Sequence, residues 1–121
     1  MNREQFDSHC KTLKSATHVV QWGGASVWKV GGKIFAISVA VKDKETGIVT
    51  DKTSFKCSDL SYRILSEQPG IIPAPYLARA KWVQIQSPDS MEKHDLITYI
   101  HEAHQIIAGK LTKKQRQELG L

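Results

Sequence analysis

The sequence predicts an α+β fold: an antiparallel β-meander sheet with an N-terminal helix and a long C-terminal helix packed on one face. Three observations predict it. Two β-rich runs, 25–30 and 33–41, are separated only by Gly31 and Gly32. A two-residue hairpin loop needs positive φ angles, which glycine adopts without steric cost. Leu96, Ile100, Ala103, Ile107 and Leu111 recur at spacings of 4, 3, 4 and 4, an apolar stripe along one side of a long helix. Phe6, Cys10 and Leu13 repeat that pattern over a shorter span near the start.

Taken in order, Asn2 with Gln5 three residues later predicts a capping box opening the first helix. Its polar side carries Arg3, Glu4, Asp7, Lys11 and Lys14. Val19-Val20-Gln21-Trp22 is a short apolar run, and Gly23-Gly24 makes a bulge or turn before the hairpin. The hairpin loop sets a register in which Val30 opposes Lys33, Trp28 opposes Phe35 and Ser26 opposes Ile37. Trp28, Val30, Phe35, Ile37 and Val39 then share the apolar face, with Val27, Lys29, Ile34, Ala36 and Ser38 on the thinner one.

The charged loop 42–47 leads to a third strand, 48–57, where Thr53, Phe55 and Cys57 alternate with Lys52, Ser54 and Lys56. Ser58 or Asp59 caps a short helix through Leu60, Ile64 and Leu65, which Pro69-Gly70 stops. Pro73-Ala74-Pro75 excludes helix, so 71–76 is an extended connector. The run 81–86 reads as a further strand, broken at Ser87-Pro88-Asp89, and Asp89 with Glu92 offers a second capping box before the long helix. From about residue 110 a basic tail adds a short helix or frays.

At 121 residues the chain is expected to form one domain over 1–121. Apolar residues at 40% and charged residues at 24% match a soluble globular protein. A polar N-terminus and the lack of any long apolar run argue against a signal peptide and a membrane span. Cys10 and Cys57 form no C-x-x-C pair and fit a reduced, cytoplasmic protein. The net charge of +5 points toward an acidic partner such as nucleic acid.

Motifs for chemistry are absent: no G-x-S-x-G, P-loop, G-x-G-x-x-G or H-E-x-x-H occurs. His101 and His104 read as a surface histidine and a core-edge histidine rather than a metal pair. Both cysteines read as core filler. The expectation is a non-enzyme with no cofactor and no metal.

Binding has more support. Strand alternation turns Lys29 and Lys56 outward. If Val83 and Ile85 face the core, Trp82, Gln84 and Gln86 join those lysines. Such a face holds a nucleic-acid backbone and stacks a base on Trp82; alternatively, Trp82 packs under the Pro73-Ala74-Pro75 connector and the lysines solvate an open sheet. Arg79 and Lys81 make a second basic group, and Lys110, Lys113, Lys114 and Arg116 a third. If they converge, they supply salt-sensitive phosphate contacts.

The run Trp28-Lys29-Val30-Gly31-Gly32-Lys33-Ile34-Phe35-Ala36 resembles the signature of the MmcQ/YjbR family. Phe55-Lys56-Cys57, the stretch from Pro69-Gly70 to Tyr76-Leu77, Trp82-Val83 and the terminal Lys110-Leu111 follow the family's order. The resemblance implies a CyaY-like (frataxin-like) α+β domain, also compared with double-wing domains. It further implies a bacterial DNA-binding protein, with Lys29, Lys33, Lys56 and Trp82 at recurrent family positions. Two positions depart from the family pattern: Ala103-His104 replaces Ser-Tyr, and Pro75-Tyr76 stands where many members carry histidine. The frataxin comparison also implies iron binding, but Glu4 and Asp7 are offset by Arg3, Lys11 and Lys14, and hard cations need clustered oxygen ligands.

The resulting expectation is a non-catalytic DNA-binding protein making mainly phosphate contacts through Lys29, Lys33, Lys56, Arg79, Lys81 and Trp82. The alternative is a protein–protein interaction module that docks a partner on the exposed part of connector 71–79.

Overall fold

The computed structural model describes all 121 residues. Asn2 opens α1 (Arg3–Lys11) with a reciprocal capping box, its side chain accepting from the Gln5 amide at 2.9 Å while Gln5 Oε1 accepts from the Asn2 amide at 3.1 Å. The apolar pattern then buries Phe6 and Cys10, with Leu13 beyond the helix end.

Six strands follow: β1 (Ala16–Gln21), β2 (Ala25–Val30), β3 (Lys33–Lys42), β4 (Val49–Lys56), β5 (Ile71–Pro73) and β6 (Trp82–Ile85). They form one antiparallel sheet in the order β1-β2-β3-β4-β6-β5. The run through Val19 and Val20 is therefore part of a full edge strand, and the first residues of the expected connector form the opposite edge. Pro73 protects that second edge, because proline has no N–H to offer a neighbouring strand.

Gly31 and Gly32 have φ of 57° and 80°, the paired positive values of a type I′ turn. Gly31 is needed for space as well, since a Cβ there would meet the Leu111 side chain at 2.6 Å. The turn sets Val30 opposite Lys33 as expected, but the rest of the predicted register is corrected. Between Trp28 and Lys29 the pairing shifts, so Lys29 opposes Ile34, Trp28 opposes Ala36, Val27 opposes Ile37 and Ser26 opposes Ser38. A β-bulge inserts one extra residue on β3, and strand parity inverts beyond it. Phe35 and Ala36 consequently both face the helices. Ile37 and Val39, expected on that face, lie on the other side with Val27 and Ile34.

Ser58 caps α2 (Asp59–Leu65) by accepting from the Ser61 amide at 3.1 Å. The second predicted capping box does not form. Asp89 lies in a 3-10 turn (Pro88–Ser90), and Glu92 precedes α3 (Lys93–Gly109) without a side-chain cap. Pro88 supplies the reason, as its fixed φ favours a separate turn before the helix begins. The predicted α3 stripe is buried at Leu96, Ile100, Ala103, Ile107 and Leu111. The basic tail forms α4 (Lys113–Glu118), opened by a Thr112–Gln115 capping box.

The principal core lies between one sheet face and the helices, around Phe6, Phe35, Phe55, Val83 and Ile100. Each large apolar side chain buried there contributes about 1.5–3 kcal/mol. Asp7 ties α1 to β2, accepting from Ser26 Oγ at 2.6 Å and from Trp28 Nε1 at 2.9 Å. His104 is anchored by a 2.8 Å hydrogen bond to the Lys14 carbonyl, as befits a core-edge histidine.

Candidate nucleic-acid interface

The opposite sheet face carries no helix. Its rows follow from the register. Val27, Ile37, Ser54 and Gln84 form one row across β2, β3, β4 and β6; on the same face Thr17, Lys29 and Ile34 pair across β1, β2 and β3, and Lys56 pairs with Trp82 across β4 and β6. Lys29, Lys56, Trp82, Gln84 and Gln86 thus share one face, as alternation predicts.

Two of these residues are less available than the sequence suggests. Trp82 is 5% exposed, packed with Ala74 and Leu77 of the connector. A stacking role for its ring is corrected: the connector folds back because the Ala74 amide donates to the Trp82 carbonyl at 2.9 Å, and it covers the indole. Lys56 is buried, and its ammonium donates to the Ala80 carbonyl. Burial lowers its pKa first, and repulsion from Lys110 adds to that; the Asp59 carboxylate works the other way, and Lys81 contributes a smaller lowering.

That repulsion locates a basic end of the molecule. Lys56 from β4, Lys110 after α3 and Lys81 before β6 come together there. Leu111 against Gly31 brings the hairpin turn to the same end. Lys29 and Lys33 flank that turn on opposite sides, Lys33 being exposed beside Val30 on the helix side. Lys81 adopts φ of 63° and sets its ammonium 4.9 Å from the Tyr62 ring centroid, a cation–π contact. Arg79 is exposed in a 3-10 turn (Ala78–Ala80). Arg116 departs from this group, lining a separate cavity with Lys14 and His101.

The bulge gives the open face its other character. Ile34, Ile37 and Val39 floor a groove of about 520 Å³ whose sides come from Trp22 and from Pro75, Tyr76 and Leu77. Ser54 and Gln84 are the polar groups among its lining residues. Trp22 is 64% exposed and Tyr76 fully exposed, and both hold positive φ, 52° and 66°. Bulky side chains rarely occupy that backbone region. Sequence reasoning passed over both aromatics. Their signal was their neighbours: Trp22 precedes Gly23-Gly24, and Tyr76 follows Pro75.

Other chemistry is structurally occupied. Ser26 lies between His18 and Asp7, but the residue is 1% exposed and its hydroxyl donates to the carboxylate, while His18 Nε2 sits 2.7 Å from the hydroxyl oxygen. This is a strut under α1, not the polarity of a nucleophile. Burial pushes the Cys10 thiol up, and burial with the Glu102 charge pushes Cys57 up to about 12. Both remain protonated thiols at neutral pH.

No helix is long and apolar enough to cross a membrane. Two crystal structures share the fold. Deinococcus radiodurans protein DR2400, described as a DUF419 domain, is 20% identical with a TM-score of 0.82, covering 99% of this chain and 88% of that one. A Pseudomonas syringae protein is 19% identical with a TM-score of 0.73, covering 88% of this chain and 99% of its own. No curated protein matches the sequence. The YjbR family model matches residues 11–106, most of the chain, and the protein belongs to the YjbR family.

Proposed function

We propose that this YjbR-family protein is a non-catalytic, cytoplasmic DNA-binding protein that holds the phosphate backbone at the basic end of its sheet. The observation that carries this reading is the convergence of Lys56, Lys81 and Lys110 from three separate parts of the chain, with Lys29 and Lys33 flanking the adjoining turn. Asp59 offsets part of the repulsion at Lys56, and a phosphate backbone would neutralise the remaining positive charge while releasing counterions. Lys29, Lys33, Arg79 and Lys110 are the free contacts. Lys56 supports the site's potential from beneath.

Fluorescence anisotropy of a labelled DNA at low and near-physiological salt tests this. Binding should weaken steeply with salt. Lys29→Glu with Lys110→Glu should lower both affinity and the salt slope, by about 0.9 for each phosphate of duplex DNA that is no longer neutralised. Binding insensitive to salt would overturn the reading.

A second reading, a protein-docking role for connector 71–79, draws on the exposure of Ile72 and Tyr76. A nuclease-resistant stoichiometric partner, released by Ile72→Asp, would favour it.

A further inference from the structure

We infer that the open-face groove receives one unpaired nucleobase of a single strand, its carbonyl edge directed at the Gln84 amide. This deepens the nucleic-acid reading above and rests on it.

The sides of the groove argue for a flat aromatic guest. Trp22 and Tyr76 stand on segments far apart in sequence, yet both border the same groove. Each exposes its ring while keeping a positive φ. The chain therefore sustains local backbone strain and leaves aromatic surface in water at the same place, twice. A stacked base would bury that surface, and every base has a π-face that such rings accept. A base paired inside a duplex presents only its edges, so this groove calls for an unpaired one. Its volume of about 520 Å³ lies within the range of small-ligand sites.

The polarity of the floor follows from a hydrogen-bond chain. Lys52 Nζ donates to Gln86 Oε1 at 3.2 Å, and Gln86 Nε2 donates to Gln84 Oε1 at 2.6 Å. An ammonium only donates, so it must meet the Gln86 carbonyl. That turns the Gln86 NH₂ toward Gln84, which must answer with its own carbonyl. The Gln84 NH₂ is left to donate. Among bases, thymine, uracil, guanine and cytosine carry an exocyclic carbonyl that can accept from it; adenine carries none. Lys29 stands beside Ile34 and Lys52 beside Val39, so each end of the apolar floor has a cation for the phosphates flanking the bound nucleotide.

The test compares labelled oligo(dT), oligo(dA) and the duplex of the two, by anisotropy at low and near-physiological salt. The proteins are wild type, Tyr76→Ala, Tyr76→Phe and Gln84→Leu, with circular dichroism checking that each is folded. Single strands should bind more tightly than duplex, and oligo(dT) more tightly than oligo(dA). Tyr76→Ala should cost about tenfold on single strands, the scale of removing one base stack, with Tyr76→Phe restoring it.

Because flexible pyrimidine strands suit many sites, the deciding result is Gln84→Leu. It should abolish the dT preference and leave the salt slope unchanged. A preference that survives Gln84→Leu overturns the carbonyl assignment. Equal, salt-sensitive binding of duplex and single strands, unchanged by Tyr76→Ala, overturns this inference and leaves the phosphate reading standing. No binding of any strand at low salt overturns both.

Discussion

The helix-covered face and the open face are built from the same six strands, yet they bury different things for different reasons. On the covered face, Phe6, Phe35, Phe55 and Ile100 interlock with no exposure at all, and polar groups such as Asp7 and His104 are tied to fixed partners. On the open face the apolar residues gather at a floor, the aromatics stand at its sides in water, and Lys29 and Lys52 lie at its two ends. The covered face holds the fold together. The open face is a surface with uncovered apolar area rimmed by polar groups, the pattern that marks binding sites.

Several substitutions would break or sharpen that contrast. The largest effect is expected from Phe55→Ala, which empties a fully buried site stacked 6.0 Å from the Tyr99 ring. It should cost about 3–5 kcal/mol in urea unfolding, and a loss below about 1 kcal/mol would contradict this packing. Asp7→Ala removes the acceptor for Ser26 and Trp28 and should cost about 2 kcal/mol, measured in the same way.

Gly31→Ala forces a Cβ toward Leu111 at a positive φ. About 1–2 kcal/mol is expected, detected as a lowered denaturation midpoint without a change in the slope of unfolding free energy on denaturant.

A pH effect also belongs to the covered face. Burial, then repulsion from His101, lowers the His9 pKa below its ordinary 6.5. The unfolded chain therefore binds more protons between the folded value and 6.5, so stability rises with pH across that window. Below it, the full penalty remains. Melting temperature should fall as the solution is acidified through pH 6.5, and His101→Gln should flatten that fall. An unchanged profile would remove His101 from the explanation.

The smallest stability effect is expected from Tyr76→Ala on the open face, within about 0.5 kcal/mol, because a fully exposed ring has no native packing to lose. If that variant unfolds easily, Tyr76 is a structural residue and the contrast between the faces weakens.

Much of the architecture was legible in local pattern. The Asn2–Gln5 cap, the Gly31-Gly32 turn, the Ser58 cap and the α3 stripe each declare themselves within a few residues, because capping, turn geometry and helical period are short-range requirements. The meander's composition and the outward direction of Lys29, Lys56, Gln84 and Gln86 followed from alternation. The YjbR resemblance was likewise carried by contiguous residues, Trp28 to Ala36.

What only the tertiary structure decided was parity and cover. One inserted residue at Phe35 moved Ile37 and Val39 to the other side of the sheet, and no local signal distinguishes a bulged hairpin from a regular one when Ile34, Phe35, Ala36 and Ile37 are all apolar. The fate of Trp82 depended on whether the chain after Pro73 folded back over it, an interaction between separate segments. The convergence of Lys56, Lys81 and Lys110 and the placing of Trp22 and Tyr76 along one groove arise the same way. Sequence sets the short-range geometry; which surfaces come together depends on how strands and connectors pack across distance, and in this protein that packing shapes the candidate site.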